Sequence, residues 1–360
     1  MSKIFTILSG LLFFGLLSSC IFTPLAFDEK KWAETVNNTE IKDLYTDNIN
    51  NGVFYNPWLA QEDRSFSRFL RWRFSKTPTY TDEAVKNKPQ FFPDLIERIT
   101  ALPDKQDFIS WIGHATFLIR LDDQYWLTDP IFSKRALLPK RITPPALIAE
   151  DLTGLNGKLN VMISHNHYDH LDKASLEALP ENTNYFVPKG LKEYVESFVS
   201  GSVTEMNWWE ELQLGKDTAL TCLPAQHWSR RIFQGYNTTL WASYMLSSNG
   251  RTIYFAGDSG YFKGYQEIGR KFDTIDYALM PITAYDPRWF MHYPHMDTKE
   301  AIRAFQDIGA RYFIPTQWGT FHLGDNPPGL PALDLHRDIN EMQLDRSQYL
   351  VLNIGEIRML

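Results

Sequence analysis

Beyond residue 107 the chain is dominated by short runs in which apolar and polar residues alternate. Residues 108–111 and 116–121 alternate with a period of two, and Asp122-Asp123 reads as the hairpin turn leading into Tyr125-Trp126-Leu127. A short apolar run at 159–164 stops abruptly at a cluster of histidines. Residues 172–179 then read as a helix with Asp172 at its cap. Strands are predicted at 184–187 and 219–223, and at 241–246 and 252–256 with a turn at Asn249-Gly250. Three more follow at 277–280, 312–314 and 349–352, with helices at 191–198 and 298–307. Hairpins come first and helices are interleaved later, the order expected of two packed sheets with helices outside.

The segment before this body differs. Residues 21–100 are polar, broken by proline and rich in asparagine around 48–51. Within them Phe66-Ser67-Arg68-Phe69-Leu70-Arg71-Trp72-Arg73-Phe74 mixes aromatic and basic residues. Such a pattern fits a helix packed on the main body or one lying beside lipid headgroups, and packing is the expectation. The chain is thus read as a leader (1–20), an extension packing on the body (21–100) and a main domain (101–360).

Lys3, the apolar stretch 4–17 and Leu17-Ser18-Ser19-Cys20 have the flanks of a secretory signal. The stretch is short of the roughly 20 apolar residues that span a bilayer. Small residues before Cys20 resemble a bacterial lipobox, so Cys20 is expected to carry acyl chains. They would anchor the protein to a membrane of the bacterial cell envelope, on its periplasmic or extracytoplasmic face. Cys222 would then be the remaining thiol, with no disulfide partner, and its apolar strand context reads as core packing.

Hydrophobic residues make up 44% of the 360, enough for a sizeable core, and the 14% aromatic share leaves material for an apolar groove. The net charge of −7, without a long basic run, argues against a nucleic-acid partner. A homodimer is compatible with the sequence.

The chemistry concentrates in His165-Asn166-His167-Tyr168-Asp169-His170. On a strand end, His165 and His167 point to the same side, and Asp169 and His170 follow on the turn into a helix. A His-x-His-x-Asp-His string directly after a buried strand is a metal-ligand pattern suited to Zn²⁺, and also to Fe or Mn. His227 and Asp258 follow two other predicted strands and are further ligand candidates. Taken singly, the first reads as a polar loop residue and the second as a turn former.

These segments resemble the metallo-β-lactamase superfamily, and within it the group of phospholipases D that hydrolyse N-acylphosphatidylethanolamine. The resemblance covers most of 107–322 and rests on Gly113-His114-Ala115-Thr116, the histidine cluster, Pro224-Ala225-Gln226-His227 and Gly257-Asp258. Asp286-Pro287-Arg288-Trp289-Phe290-Met291 and Trp318-Gly319-Thr320-Phe321 are its narrower signals. It implies a four-layer αββα sandwich with two zinc ions. His165, His167 and His227 would hold the first, Asp169 and His170 the second, and Asp258 would bridge. It also implies that Tyr168 and His295 line a phosphate and headgroup pocket. At the position where the family carries a final histidine this chain has Gln317, a poorer ligand; His322 is the nearby substitute.

The expected chemistry is attack by a metal-bound hydroxide on a phospholipid phosphodiester, with Asp169 orienting the nucleophile and His295 serving the leaving group or the phosphate. His295 is equally open to a packing or hydrogen-bonding role, and His114 is read as a packing or hydrogen-bonding residue. The rival readings are a lactonase or nucleotide phosphodiesterase on the same scaffold, or a non-catalytic metal-binding envelope protein.

Overall fold

The computed structural model describes residues 23–61 and 65–360. Cys20 and its leader lie outside them. Two large sheets carry the architecture. The seven-stranded sheet runs in the order Ile357–Met359, Phe108–Gly113, Thr116–Leu121, Gln124–Thr128, Lys158–Met162, Asn184–Pro188, Ser202–Met206. The six-stranded sheet runs Tyr312–Thr316, Tyr277–Pro281, Arg251–Phe255, Ser243–Ser248, Thr218–Leu223, Glu211–Gln213. Each is antiparallel at one end and parallel at the other, the parallel pairs being joined through helical or looped crossovers.

Alternation along the strands becomes a division between two cores. Ile109, Trp111, Phe117, Ile119 and Trp126 turn inward and share one cluster with Leu220, Tyr244, Ile253 and Leu279 of the other sheet. Their neighbours Phe108, Ile112, Leu118, Tyr125 and Leu127 face outward onto Leu95, Leu176, Leu191 and Val195. Helix Thr298–Ile308 covers the far sheet through Ala301, Ile302 and Phe305. It starts from an Asp297–Glu300 capping box and ends at Gly309 in the left-handed region. The result is the αββα sandwich.

Trp32, Val36, Leu44, Phe54 and Trp58 of the extension join the inter-sheet core. Helix Phe66–Phe74 behaves differently: none of its residues is buried, and it touches the body through Trp72, whose Nε1 donates to Asp325 Oδ1 at 2.9 Å.

Three sequence expectations change. Residues 349–352 form no strand; Tyr349 makes one isolated bridge to Phe313, and Ile357–Met359 is the strand that pairs with Phe108–Ser110. The segment crosses between sheets, so Tyr349 and Leu352 are buried without a ladder. The edge strands Ser202–Met206 and Glu211–Gln213 and the helices Gly264–Lys271 and Leu330–Glu341 were not anticipated. Finally, Asp172 precedes helix Lys173–Glu177 but does not cap its backbone; its carboxylate accepts from Ser133 and Ser175.

Candidate metal centre

The candidate residues come from the C-terminal ends of one strand of the seven-stranded sheet and three alternate strands of the six-stranded one. Lys158–Met162 leads to His165–His170, Thr218–Leu223 to His227, Arg251–Phe255 to Asp258, and Tyr312–Thr316 to Gln317. Gly257 lets two of these ends meet: with φ +61, it lies where a Cβ would come within 2.6 Å of Ser164 Cβ. Asp258 is thereby pressed toward the histidine loop.

His165 Nε2 and His227 Nε2 approach His167 Nδ1 at 2.8 and 3.2 Å. His227 Nδ1 lies 3.2 Å from the Pro294 carbonyl, an obligate acceptor, so Nδ1 carries the proton and Nε2 presents a lone pair. Three converging imidazole nitrogens cannot satisfy one another by hydrogen bonds alone. A cation would satisfy them together, with Asp258 Oδ2 3.8 and 3.6 Å from the Nε2 atoms of His165 and His227. A second group lies alongside, where His170 Nε2 is 3.3 Å from both Asp169 Oδ2 and Asp258 Oδ1. That nitrogen is buried and makes no hydrogen bond. The two oxygens of Asp258 thus face different groups, and the residues fit metal ions.

Charge follows the same division. Burial, with crowding by His170 and His167, holds His165 well below the ordinary histidine range, and burial brings His167 down to about 4. Burial also disfavours charge on His170, yet Asp258, Asp169 and Asp129 outweigh it and push its pKa well up. Asp258 is buried and Asp169 partly so, but His170 opposite them keeps both below the usual carboxylate range. Three neutral donors and a cation-seeking carboxylate pair are the electrostatics of a metal site.

Asp129 is a participant that the sequence reading missed. It is fully buried, and its carboxylate accepts from Ser164 N at 2.6 Å, Ser164 Oγ at 2.5 Å and His170 Nδ1 at 2.6 Å. It fixes the proton on His170 Nδ1 and turns Nε2 toward the carboxylates. The signal was an Asp directly after a buried strand, in Thr128-Asp129-Pro130.

Other expectations sort as follows. His114 is a buried hydrogen-bonding residue: its Nε2 lies 3.0 Å from Asp169 Oδ2, and burial lowers its pKa. The Tyr168 hydroxyl accepts from Ile232 N at 3.2 Å, and the Arg231 guanidinium sits 4.0 Å from its ring centroid. The His295 ring stands 5.4 Å from that of His227, at the wall of the groove above the centre. His322 is exposed, with Nε2 3.5 Å from the Asp325 carbonyl, and belongs to none of the His/Asp groups. It therefore does not substitute for the missing histidine, because its loop is tied to Asp325. Gln317 does reach the site, but as a donor to Asp258 Oδ1 at 2.6 Å. Cys222 is fully buried, and burial pushes its thiol well up, so it is a core residue.

Two groups of imidazoles and carboxylates at the strand ends of an αββα sandwich define a metal-dependent hydrolase of the metallo-β-lactamase kind. Residues 125–318 match the family described as the β-lactamase superfamily domain, and the chain belongs to that superfamily. It is 34% identical over 269 residues to the N-acyl-phosphatidylethanolamine-hydrolyzing phospholipase D 1 of Caenorhabditis elegans, covering 69% of this chain and 75% of that one. A mitochondrial enzyme of the same description from Saccharomyces cerevisiae is 35% identical over 226 residues, covering 59% of this chain and 48% of the yeast protein. In fold, a possible metal-dependent hydrolase from Veillonella parvula superposes with a TM-score of 0.58 at 18% identity, over 71% of this chain and all of that one.

Proposed function

We propose that this protein is a phosphodiesterase of phospholipase D type, acting on N-acylphosphatidylethanolamine or a related phospholipid at a membrane surface. The observation that carries the reading is the groove above the centre. It has a volume of about 580 Å³, its floor includes His167, Asp169 and Asp258, and its walls are apolar. Phe66, Phe69 and Trp72 form one wall, and Leu137, Leu138 and Phe290 extend it. Such a groove accepts acyl chains while the polar floor meets a phosphate.

The rim supports an interfacial substrate. Phe66, Leu138 and Phe233 are 72, 77 and 105% exposed; the first two line the groove, and Phe233 lines an adjoining hollow that shares Tyr168, Trp228 and Arg230 with it. Exposed Arg73, Lys134, Arg135, Lys140 and Arg230 lie among them in sequence. Apolar tips with cations beside them match the acyl boundary and headgroup layer of an anionic bilayer. No helix among the described residues is long and apolar enough to cross a membrane. An acylated Cys20 on the bacterial envelope would serve to hold the groove at that surface.

Metal ions bound at the centre would activate water and polarise the phosphoryl oxygen. Asp169, hydrogen-bonded to His114, would take a proton from the attacking water. His295, on the groove wall, would protonate the departing alkoxide. The water oxygen joins phosphorus as the bond to the ethanolamine oxygen breaks, leaving phosphatidic acid and an N-acylethanolamine. The test is release of both products from vesicles containing N-acylphosphatidylethanolamine, abolished by chelator and restored by metal. Turnover of soluble lactones or nucleotide diesters without lipid turnover would favour another hydrolase of this fold. Silence towards all of them, at full metal content, would favour the non-catalytic reading.

A further inference from the structure

The two halves of the centre are not equivalent, and the difference lies in the nitrogen donors. The first group holds three imidazoles. In the second, His170 stands with Asp169 and one oxygen of the shared Asp258. Two nearby side chains could add a donor, Gln317 and His114, and the hydrogen bonding argues against both.

Gln317 is buried and held over the site by a left-handed backbone, with φ 73. One end of its amide lies 2.6 Å from Asp258 Oδ1 and 3.4 Å from the Gly257 carbonyl. A carbonyl and an ionised carboxylate oxygen only accept, so the NH₂ must face them and the amide oxygen points elsewhere. Gln317 is therefore a donor, and it occupies a lone pair of the same Asp258 oxygen that lies 3.3 Å from His170 Nε2.

His114 fails for a complementary reason. A ligating imidazole almost always passes its other N–H to an acceptor. His170 does so to Asp129 and His227 to Pro294. His114 Nδ1 is buried with no hydrogen-bond partner, a lack it shares with His167 Nε2 of the first group, so the case against it rests on its other nitrogen. That Nε2 lies 3.0 Å from Asp169 Oδ2, and donating its N–H there leaves it no lone pair for a cation.

We propose that the chain holds one metal ion tightly, at His165, His167, His227 and Asp258, and a second only loosely, at Asp169, His170 and Asp258, with Gln317 setting the difference. The second set is rich in oxygen, and its shared oxygen is already hydrogen-bonded. It suits harder, exchangeable cations such as Mn²⁺ or Mg²⁺ more than the three-imidazole group does. The inference rests on the metal-centre reading but not on any particular substrate.

The test counts metal in the full chain. The metal-free protein is loaded with excess Zn²⁺, dialysed exhaustively and analysed by elemental analysis, and the second equivalent is then titrated calorimetrically. One retained ion per chain, and a second bound at least ~100-fold more weakly, is expected. Gln317→His should tighten the second equivalent by roughly 10–100-fold, the scale of changes around a metal's ligands. Gln317→Ala should leave it unchanged or tighter, because it frees Asp258 Oδ1; this variant decides the matter if the histidine variant does not fold. Two ions retained by the wild type, or a second equivalent weakened by Gln317→Ala, would overturn the inference while leaving the metal centre intact. No retained ion at all would overturn both.

Discussion

Asparagine at position 129 would keep the side chain's volume and replace one carboxylate oxygen with NH₂. In the native protein one oxygen accepts from Ser164 N at 2.6 Å, while the other accepts from Ser164 Oγ at 2.5 Å and His170 Nδ1 at 2.6 Å. The asparagine oxygen can keep the backbone donor. Its NH₂ then faces Ser164 Oγ, which can rotate and accept, and His170 Nδ1, which cannot keep its proton against another donor. The ring must either break the contact or give up its Nδ1 proton and keep the one on Nε2, the atom aimed at Asp169 and Asp258. The first course leaves a buried donor unpaired at ~1–3 kcal/mol; the second removes the lone pair that would bind metal. Part of the loss is offset, because burial pushes the native Asp129 carboxyl up and the neutral amide avoids that desolvation. We therefore expect Asp129→Asn to destabilise the metal-free protein by about 1–2 kcal/mol in urea unfolding. The second metal equivalent should weaken by roughly 10–100-fold in chelator competition, as for other outer partners of ligating histidines. Unchanged second-site affinity with full stability would refute the argument that Asp129 sets the His170 tautomer.

Further outcomes follow from other contacts. His227→Asn removes a fully buried imidazole from the tight group, so the retained ion should be lost on dialysis, a larger effect than the roughly 10–100-fold of an outer partner. Trp72→Ala should loosen the groove wall that stacks on Phe290 at 5.1 Å, raising KM for lipid more than it lowers kcat, with less than about 2 kcal/mol lost in unfolding. Replacing Phe66, Leu138 or Phe233 singly with serine should cut binding to anionic vesicles at least ~10-fold, since each inserted side chain contributes roughly 1.5–3 kcal/mol. Turnover of a soluble short-chain substrate should fall by less than vesicle binding does. Asp286 gives a pH effect: burial raises its carboxyl to about 6, with Arg288 opposing. A carboxyl raised in the folded state favours folding below its unfolded value near ~3.9, and that contribution is lost as pH climbs to about 6. Allowing for its partial exposure, the loss is about 1–2 kcal/mol. Asp286→Asn should therefore gain stability relative to wild type at pH 7.5 compared with pH 3.5; an equal difference at both would contradict it.

The sequence by itself determined most of the sandwich and the centre of the site. Period-two runs such as 116–121 survive folding because each alternate residue has a different core to enter, Phe117 and Ile119 one and Leu118 the other. The histidine cluster was legible because its spacing is local: residues two apart on a strand end share a face whatever the rest of the chain does. His227 and Asp258 could be named only as candidates, since nothing local says which strand ends meet. Gly257 packing on Ser164 decides that, across a separation no periodicity reports. Asp129 stayed hidden, and the partner of His114 could not be named, for the same reason, each acting through a residue distant in sequence. The substitution at Gln317 was visible, but its meaning was not. An amide can accept or donate, and only the fold, by setting it against Asp258 Oδ1 and the Gly257 carbonyl, makes it a donor.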